Sequence, residues 1–341
     1  MAALLQWLVV RKKLKNQYTM KFSKFFYMAA AAAVALMFAA CEQKGGDEGE
    51  PDPPAPTMPS QEGSGETDGY VLVWEDLFDG EVLNEEDWNI EVNGNGGGNN
   101  ELQYYRRDNV SIQTDPETNR RCLVLTAQRE KELYNGKNFT SGRVNTKNKV
   151  AFQQGKFEAL IKMPNTYKGL WPAWWAMGNN FDEVGWPACG EFDILEMGHS
   201  NSYRLGEEGA GKYFNGAFHW GPRWDQHMQH AQSTTYGYTM QDGEYHLFTW
   251  IWDDKSGSCY VDLDKYPDIP PYFTIDVSEV DPDNTSVPGN YLQVPYFVIL
   301  NLAVGGNFPG IYNADGITAL NEENGYKASM WIDYVRIYQK K

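Results

Sequence analysis

The chain has 341 residues, 42% of them hydrophobic and 14% aromatic, with a formal net charge of −17. That length holds one or two domains, each large enough to bury a core. So acidic a balance argues against nucleic acid or an anionic membrane surface as the partner.

The N-terminal stretch is basic, then apolar. Lys12, Lys13 and Lys15 precede Met20, Lys21 to Lys24 follow it, and an Ala-rich apolar run extends from Phe25 to Ala40, ending at Cys41. A basic region, a short apolar run and small residues before the break describe a secretory signal, and the run is too short to span a membrane comfortably. Phe38-Ala39-Ala40-Cys41 resembles the bacterial lipobox, in which the cysteine becomes the lipidated first residue; the bulky Phe38 fits ordinary signal-peptidase cleavage less well. Met20 reads as the better translation start. On this reading the protein is lipid-anchored in the bacterial cell envelope, exposed on the outer-membrane surface or held in the periplasm, and meets the membrane only through that anchor. Residues 42–69, rich in Glu, Asp, Gly, Pro and Ser, read as a disordered acidic tether.

From Tyr70 to Lys341 the chain turns aromatic-rich and strand-like. Gly155 to Met163 alternates, with Phe157, Ala159, Ile161 and Met163 on one face. Tyr245 to Trp252, Cys259 to Leu263, Phe297 to Leu302 and Trp331 to Tyr338 read as further strands. Turn signals separate them at Asn93 to Asn100, Gly178-Asn179-Asn180, Asp254 to Gly257 and Gly305-Gly306. Many short strands with this punctuation predict an all-β sandwich or barrel in one large domain, residues 70–341. With Cys41 set aside, Cys122, Cys189 and Cys259 leave at least one free thiol, and spacing selects no pair. His227 with His230 is too weak a pattern to make a site.

Cys189-Gly190-Glu191-Phe192-Asp193-Ile194-Leu195-Glu196-Met197 sets three carboxylates within six residues, among apolar, strand-favouring neighbours. Side chains on a strand alternate, so Glu191 and Asp193 share a face while Glu196 would fall on the other. One extra residue, taken up as a β-bulge before Glu196, puts all three together. Like charges crowded on one face destabilise a fold, so a purely structural purpose is a poor explanation. Two carboxylates with separated pKa values are what glycoside hydrolysis needs. A solvated acidic edge strand is the alternative, and the apolar residues between the acids weigh against it.

Around these acids the chain resembles the laminarinase-like branch of glycoside hydrolase family 16. The matching segments run in order: Trp74-Glu75-Asp76-Leu77-Phe78, Asn99-Asn100-Glu101-Leu102-Gln103-Tyr104-Tyr105, Ser141-Gly142-Arg143, Leu170-Trp171-Pro172-Ala173-Trp174-Trp175, the acid motif, Asn301-Leu302-Ala303-Val304-Gly305-Gly306 and Ile332-Asp333-Tyr334. The resemblance implies a β-jelly-roll sandwich of two antiparallel sheets with a concave substrate cleft. It implies Glu191 as nucleophile, Glu196 as general acid/base and Asp193 as the group that sets the nucleophile's protonation. Mutual repulsion would keep Glu196 protonated while Glu191 stays ionised. Trp175 and Trp171 would face the cleft, with Trp174 in the core. Asn100, Arg143 and Asn301 match positions that hydrogen-bond sugar hydroxyls, although Arg143 also reads as a structural ion pair and Asn100 as a turn residue. His219 matches a cleft histidine, or is a satisfied structural one. Asp333 matches a position that binds a structural calcium; a lone surface Asp is the alternative.

Three features depart from the family pattern. Leu160 stands where members often carry Arg, and if that position lines the cleft, its subsite chemistry has changed. Residues 223–238 and 264–289 form long polar insertions that either shape the cleft or are disordered surface. By its resemblance the chain reads as a retaining endo-β-1,3-glucanase acting on laminarin-type or mixed-linkage glucan, monomeric and with no cofactor for catalysis; the net charge is compatible with such a neutral substrate. The alternative is an endo-β-galactosidase acting on poly-N-acetyllactosamine, mucin O-glycans or algal galactan. A non-catalytic glycan-binding lipoprotein is a third reading, against which the intact acids weigh.

Overall fold

Strand-favouring alternation dominates the residues described in this computed structural model, 66–67 and 69–341. The signal and lipobox reading of residues 1–41, with Cys41, and most of the expected tether lie outside them. The strands up to the middle of the chain are β1 (Glu66–Thr67), β2 (Tyr70–Asp76), β3 (Asn89–Ile90), β4 (Gln103–Tyr105), β5 (Val110–Thr114), β6 (Arg121–Tyr134), β7 (Lys137–Ser141), β8 (Arg143–Asn145) and β9 (Gly155–Lys162). Then follow β10 (Leu170–Gly178), β11 (Glu191–Met197), β12 (Tyr213–Trp220), β13 (Met228–Thr235), β14 (His246–Trp252), β15 (Ser256–Val261), β16 (Phe273–Asp276), β17 (Tyr296–Val304) and β18 (Lys327–Lys340). Two sheets result. An outer sheet of eleven strands follows the order β16-β15-β14-β9-β18-β6-β7-β4 with β1, β2 and β5 at its side, and a sheet of seven runs β13-β12-β11-β10-β17-β8-β3. The pairing is antiparallel except between β4 and β7. This is the expected jelly-roll sandwich.

Period-two alternation sorts each central strand into a core face and a cleft face. On β10, Leu170, Trp174 and Ala176 enter the main core; on β17, Val298, Leu300, Leu302 and Val304 do so; on β12, Phe214, Phe218 and Trp220. Phe157, Ala159, Ile161 and Met163 come to the same core from the outer sheet, as their spacing predicts. Packing there is largely aromatic: Trp250 lies 4.2 Å from Phe192 and 5.0 Å from Trp252, ring centroid to centroid.

β11 breaks the alternation where the sequence requires it. Asp193 faces Ala217 and Glu196 faces Asn215, so Ile194 and Leu195 together oppose Gly216 alone. The result is a β-bulge, and Ile194 and Leu195 are both fully buried in the core. A bulge takes backbone groups out of the ladder, and buried carbonyls need donors. The buried Tyr272 hydroxyl donates to the Ile194 carbonyl. Tyr272 belongs to the 264–289 insertion, which also receives the Trp220 indole on Ser286 O at 3.0 Å. That insertion buttresses the bulge from within and lines no part of the cleft. Residues 223–238, far from being loose surface, form a short turn and then β13, the edge strand of the cleft sheet.

The outer face of the eleven-stranded sheet carries its own small cluster of Cys122, Val124, Leu160, Tyr245, Leu247 and Tyr334. Leu160 therefore packs on the side away from the cleft and does not bear on subsite chemistry. Asp333 is fully buried at a register shift of β18 and pairs with the Arg120 guanidinium. A cation already meets this carboxylate from its own chain, so the residues present do not fit the expected calcium site and no role is derived for that ion. Cys122, Cys189 and Cys259 are all buried and free.

Two predictions follow from these buried polar contacts. Tyr272→Phe leaves the Ile194 carbonyl without its donor and should cost about 1–3 kcal/mol in denaturant unfolding; a variant as stable as the parent would show that the hydroxyl does not hold the bulge. Asp115 sits on Lys162 at 2.7 Å and accepts from the Tyr245 hydroxyl at 2.7 Å. Burial would raise its pKa, but these two bonds outweigh burial and hold it at about 2, below the usual 3.8. Its stabilisation is thus full above pH 4 and lost as pH falls through about 2. Asp115→Asn should lower stability at pH 7 by about 3 kcal/mol, with the gap to the parent closing in acid; a gap independent of pH would contradict the ion pair.

Candidate active site

The bulge puts Glu191, Asp193 and Glu196 on the cleft face of β11, where all three line an open cleft of about 790 Å³. The preceding Gly190 has φ of +75°, and a Cβ there would stand 2.0 Å from the Tyr296 hydroxyl. Only glycine admits that approach, which turns the chain into β11 at Glu191.

Each acid has a distinct set of neighbours. Glu196, 8% exposed, accepts from Trp171 Nε1 on Oε1 and from Asn215 Nδ2 on Oε2, both at 3.0 Å. Asn215 is itself oriented by Ser233 of β13, whose hydroxyl donates to its Oδ1 at 3.0 Å. Asp193, 4% exposed, lies between its partners, with His219 Nε2 3.2 Å from its Oδ2. Oδ2 makes no hydrogen bond in this geometry, although His219 Nε2 stands within reach of one. The ligand-type atoms of Glu191, Asp193 and His219 lie within 4.8 Å of one another, a spacing suited to proton sharing and one we do not read as a metal site.

Burial is the first cause that pushes the pKa of all three acids far above the carboxylate range. For Glu191 the Asp193 and Glu196 charges add to it, while His219 and Arg143 oppose it. For Glu196 the Asp193 charge adds, and the Asn215 and Trp171 hydrogen bonds pull back toward the carboxylate. The trio therefore holds protons near neutrality. A proton on Asp193, whose Oδ2 lacks a donor, is the arrangement that leaves Glu191 ionised.

The other expected residues separate clearly. Trp171 and Trp175 line the cleft, and Trp174 is fully buried in the core. Trp171 stacks on Phe308 with centroids 4.9 Å apart, and Trp175 donates from Nε1 to Asn301 Oδ1 at 2.7 Å. Asn301 is thus a cleft residue pinned by an indole. Arg143 is both an ion pair and a cleft residue: Nε donates to Glu91 Oε1 at 2.8 Å while its guanidinium lies 4.8 Å from the Trp175 ring. His219 faces the cleft. Asn100 does not: its φ is +58°, it is exposed, and Nδ2 donates to Asn307 Oδ1 at 2.9 Å. It ties the Gly-rich loop to the loop after β17, and the neighbouring Asn99 and Asn307 line the cleft instead.

Glu91, Trp186, His227 and Phe308 also line the cleft, and sequence reasoning missed their role there. Each comes from a loop or short strand whose placement depends on long-range pairing, and no local periodicity marks them. Asn215 had one available signal, since it lies an even number of residues from His219 on one strand.

Comparison with known proteins places this geometry. The family model described as beta-glucan synthesis-associated protein SKN1/KRE6/Sbg1 matches residues 48–191. A glucan endo-1,3-beta-glucosidase from Cryptopygus antarcticus is 32% identical over 78% of this chain and 91% of its own length. The clotting factor G alpha subunit of Tachypleus tridentatus is 33% identical over 79% of this chain and 34% of its own. This chain spans 34% to 42% of the length of the longer curated relatives it matches. Among solved structures, a family 16 glycoside hydrolase from the mixed-linkage glucan locus of Bacteroides ovatus is 35% identical, with a TM-score of 0.67 over 78% of this chain and all of that one. With a shared jelly roll and relatives of this identity and coverage, the chain belongs to glycoside hydrolase family 16.

Proposed function

We propose that the protein is a retaining endo-β-1,3-glucanase acting on laminarin-type or mixed-linkage β-glucan. The observation that carries this is the trio of acids brought into phase by the bulge on the floor of an open, tryptophan-walled cleft. An open cleft accepts an internal stretch of polymer, and indole faces suit the C–H faces of sugar rings. The relatives' names, a glucan endo-1,3-beta-glucosidase and a mixed-linkage glucan hydrolase, support glucan as the substrate.

In the proposed double displacement, the Glu191 carboxylate attacks the anomeric carbon while Glu196 gives its proton to the departing glycosidic oxygen. A water then attacks the glycosyl-enzyme, Glu196 takes its proton back, and the sugar leaves with retained configuration and Glu191 free. Asp193 supplies a proton to the nucleophile's side and spares Glu191 the repulsion of a third charge. Trp171 and Asn215 hold Glu196 in place. The proposal extends to location: lipidation of Cys41 would tether the catalytic domain to the cell envelope, a reading supported by the sequence of residues 20–41.

Glu191→Gln and Glu196→Gln should each lower kcat by a factor of about 10²–10⁴ or more with the fold intact by circular dichroism; unchanged turnover in either would contradict its role. Because catalysis needs a protonated acid, kcat/KM should fall as pH rises through about 8, the value to which Glu196 is pushed. A profile already falling at pH 5 would contradict the buried, proton-sharing trio. Product analysis on laminarin, lichenan, agarose and mucin O-glycans separates the substrates. Glucan oligosaccharides support the proposal, whereas products only from galactose-containing chains would move it to endo-β-galactosidase action.

A further inference from the structure

His227 lies in the chain between the turn Trp224–Gln226 and β13, partly exposed at the rim of the cleft. Its Nε2 is 2.8 Å from Nδ1 of His219, and the two rings are nearly parallel, 12° apart with centroids at 5.0 Å. Trp186 closes on it from the other wall, 4.7 Å away. The far nitrogen of His219, Nε2, is the atom 3.2 Å from the unpartnered oxygen of Asp193. Two imidazoles in series therefore connect the rim of the cleft to a buried carboxyl group.

We propose that His227 is a positioning residue that acts through His219, setting which tautomer His219 presents to Asp193 and carrying a proton between that carboxyl and solvent. The inference rests on the catalytic reading of Glu191, Asp193 and Glu196. One proton occupies the gap between the two neutral rings, and there are two ways to place it. If His227 Nε2 donates, His219 Nδ1 accepts, Nε2 of His219 carries its hydrogen, and Asp193 stays a carboxylate. If His219 Nδ1 donates instead, its Nε2 is a bare lone pair and Asp193 must hold a proton. Passing from the first state to the second moves the His219 Nε2 proton to Asp193 and the His227 Nε2 proton to His219 Nδ1. His227 then takes one proton from water at Nδ1, so the net change is one proton from solvent to Asp193. The first state puts an Asp193 charge beside Glu191 and so favours a proton on Glu191; the second removes that charge and frees Glu191 to be the ionised nucleophile.

The surroundings suit this role. Burial, and then the neighbouring His219, lower the pKa of His227 from the ordinary histidine value, which favours the neutral ring that can donate or accept. The charged and titratable groups facing the pair are Glu191, Asp193 and Glu196 of β11, with Arg143 of β8 across the cleft. In the turn before His227, Arg223 is engaged by Asp225 at 2.7 Å. Trp186 packs its uncharged indole against the His227 ring.

The full chain with His227→Phe, which keeps a ring against Trp186 but removes the nitrogen, and with His227→Gln, which can donate but cannot shuttle, decides the matter. His227→Phe should shift a limb of the kcat/KM pH profile by about half a unit or more, lower kcat several-fold and leave KM within about twofold. His227→Gln, whose amide can meet His219 Nδ1 as donor or acceptor but cannot pass a proton on, should keep the contact to His219 and still fail to give the parent profile. Imidazole ¹⁵N spectra of His219 report that tautomer directly and do not depend on turnover. Superposable pH profiles for parent and His227→Phe, or a change in KM alone, would overturn the proposal. So would an unchanged His219 ¹⁵N signature. A parent chain inactive on every glycan would instead sink the catalytic reading, while the ¹⁵N comparison would still test the contact.

Discussion

The site depends on one backbone irregularity, the bulge at Ile194 and Leu195. A regular strand would put Glu196 on the core side, the side that Phe192 and Ile194 occupy, where an unpaired carboxyl group costs several kcal/mol. With the extra residue, two consecutive apolar side chains enter the core and the third acid joins the other two on the cleft face. Much of the surrounding structure accommodates this. Gly216 leaves room opposite the doubled residues, Phe273 fills the space behind it, and Tyr272 satisfies a carbonyl that the ladder gives up. The insertion that carries Tyr272 and Phe273 looks from sequence like a cleft-shaping loop. Its physical work is beneath the sheet.

Once the acids share a face, the sandwich must hold Asp193 and Glu196 almost out of water, with Glu191 partly exposed beside them. Burial penalises each charge, and the nearby carboxylates penalise one another, so the cluster keeps protons that isolated acids would lose well below neutrality. The neighbours then differentiate the three. Glu196 has two N–H donors and a fixed orientation; Asp193 has a bare oxygen and a histidine beside it; Glu191 stands at the turn set by Gly190. Different roles for chemically similar groups come from these contacts, which belong to β10, β12 and β13 and not to β11 itself.

Much of this was legible in the sequence where the signal is local. The E-x-D-x-x-E spacing, read against strand alternation, demands a bulge, and the register shows one. Alternation along Leu170–Trp175 separates Trp174 from the two cleft tryptophans for the same reason. What local signal leaves open is of two kinds. Family matching does not decide Leu160, Asn100 and Asp333, and packing gives each a local duty: core of the outer face, loop tie and buried ion pair. His227, Trp186, Phe308 and Glu91 sit on segments with no periodicity, and only the pairing of distant strands and loops brings them to the cleft. The strand at Met228–Thr235 was hidden because its polar residues, exposed on both faces at a sheet edge, lack any apolar alternation.

The proposed function rests on Glu191 as the nucleophile of a double displacement. A 2-deoxy-2-fluoro glucan oligosaccharide with a dinitrophenyl leaving group slows hydrolysis of the glycosyl-enzyme and lets it accumulate for peptide mapping. One sugar adduct per chain, on Glu191, formed with release of dinitrophenol, is the expected result. An adduct on Glu196 or Asp193, or turnover of natural glucan to inverted product with no adduct, would contradict it.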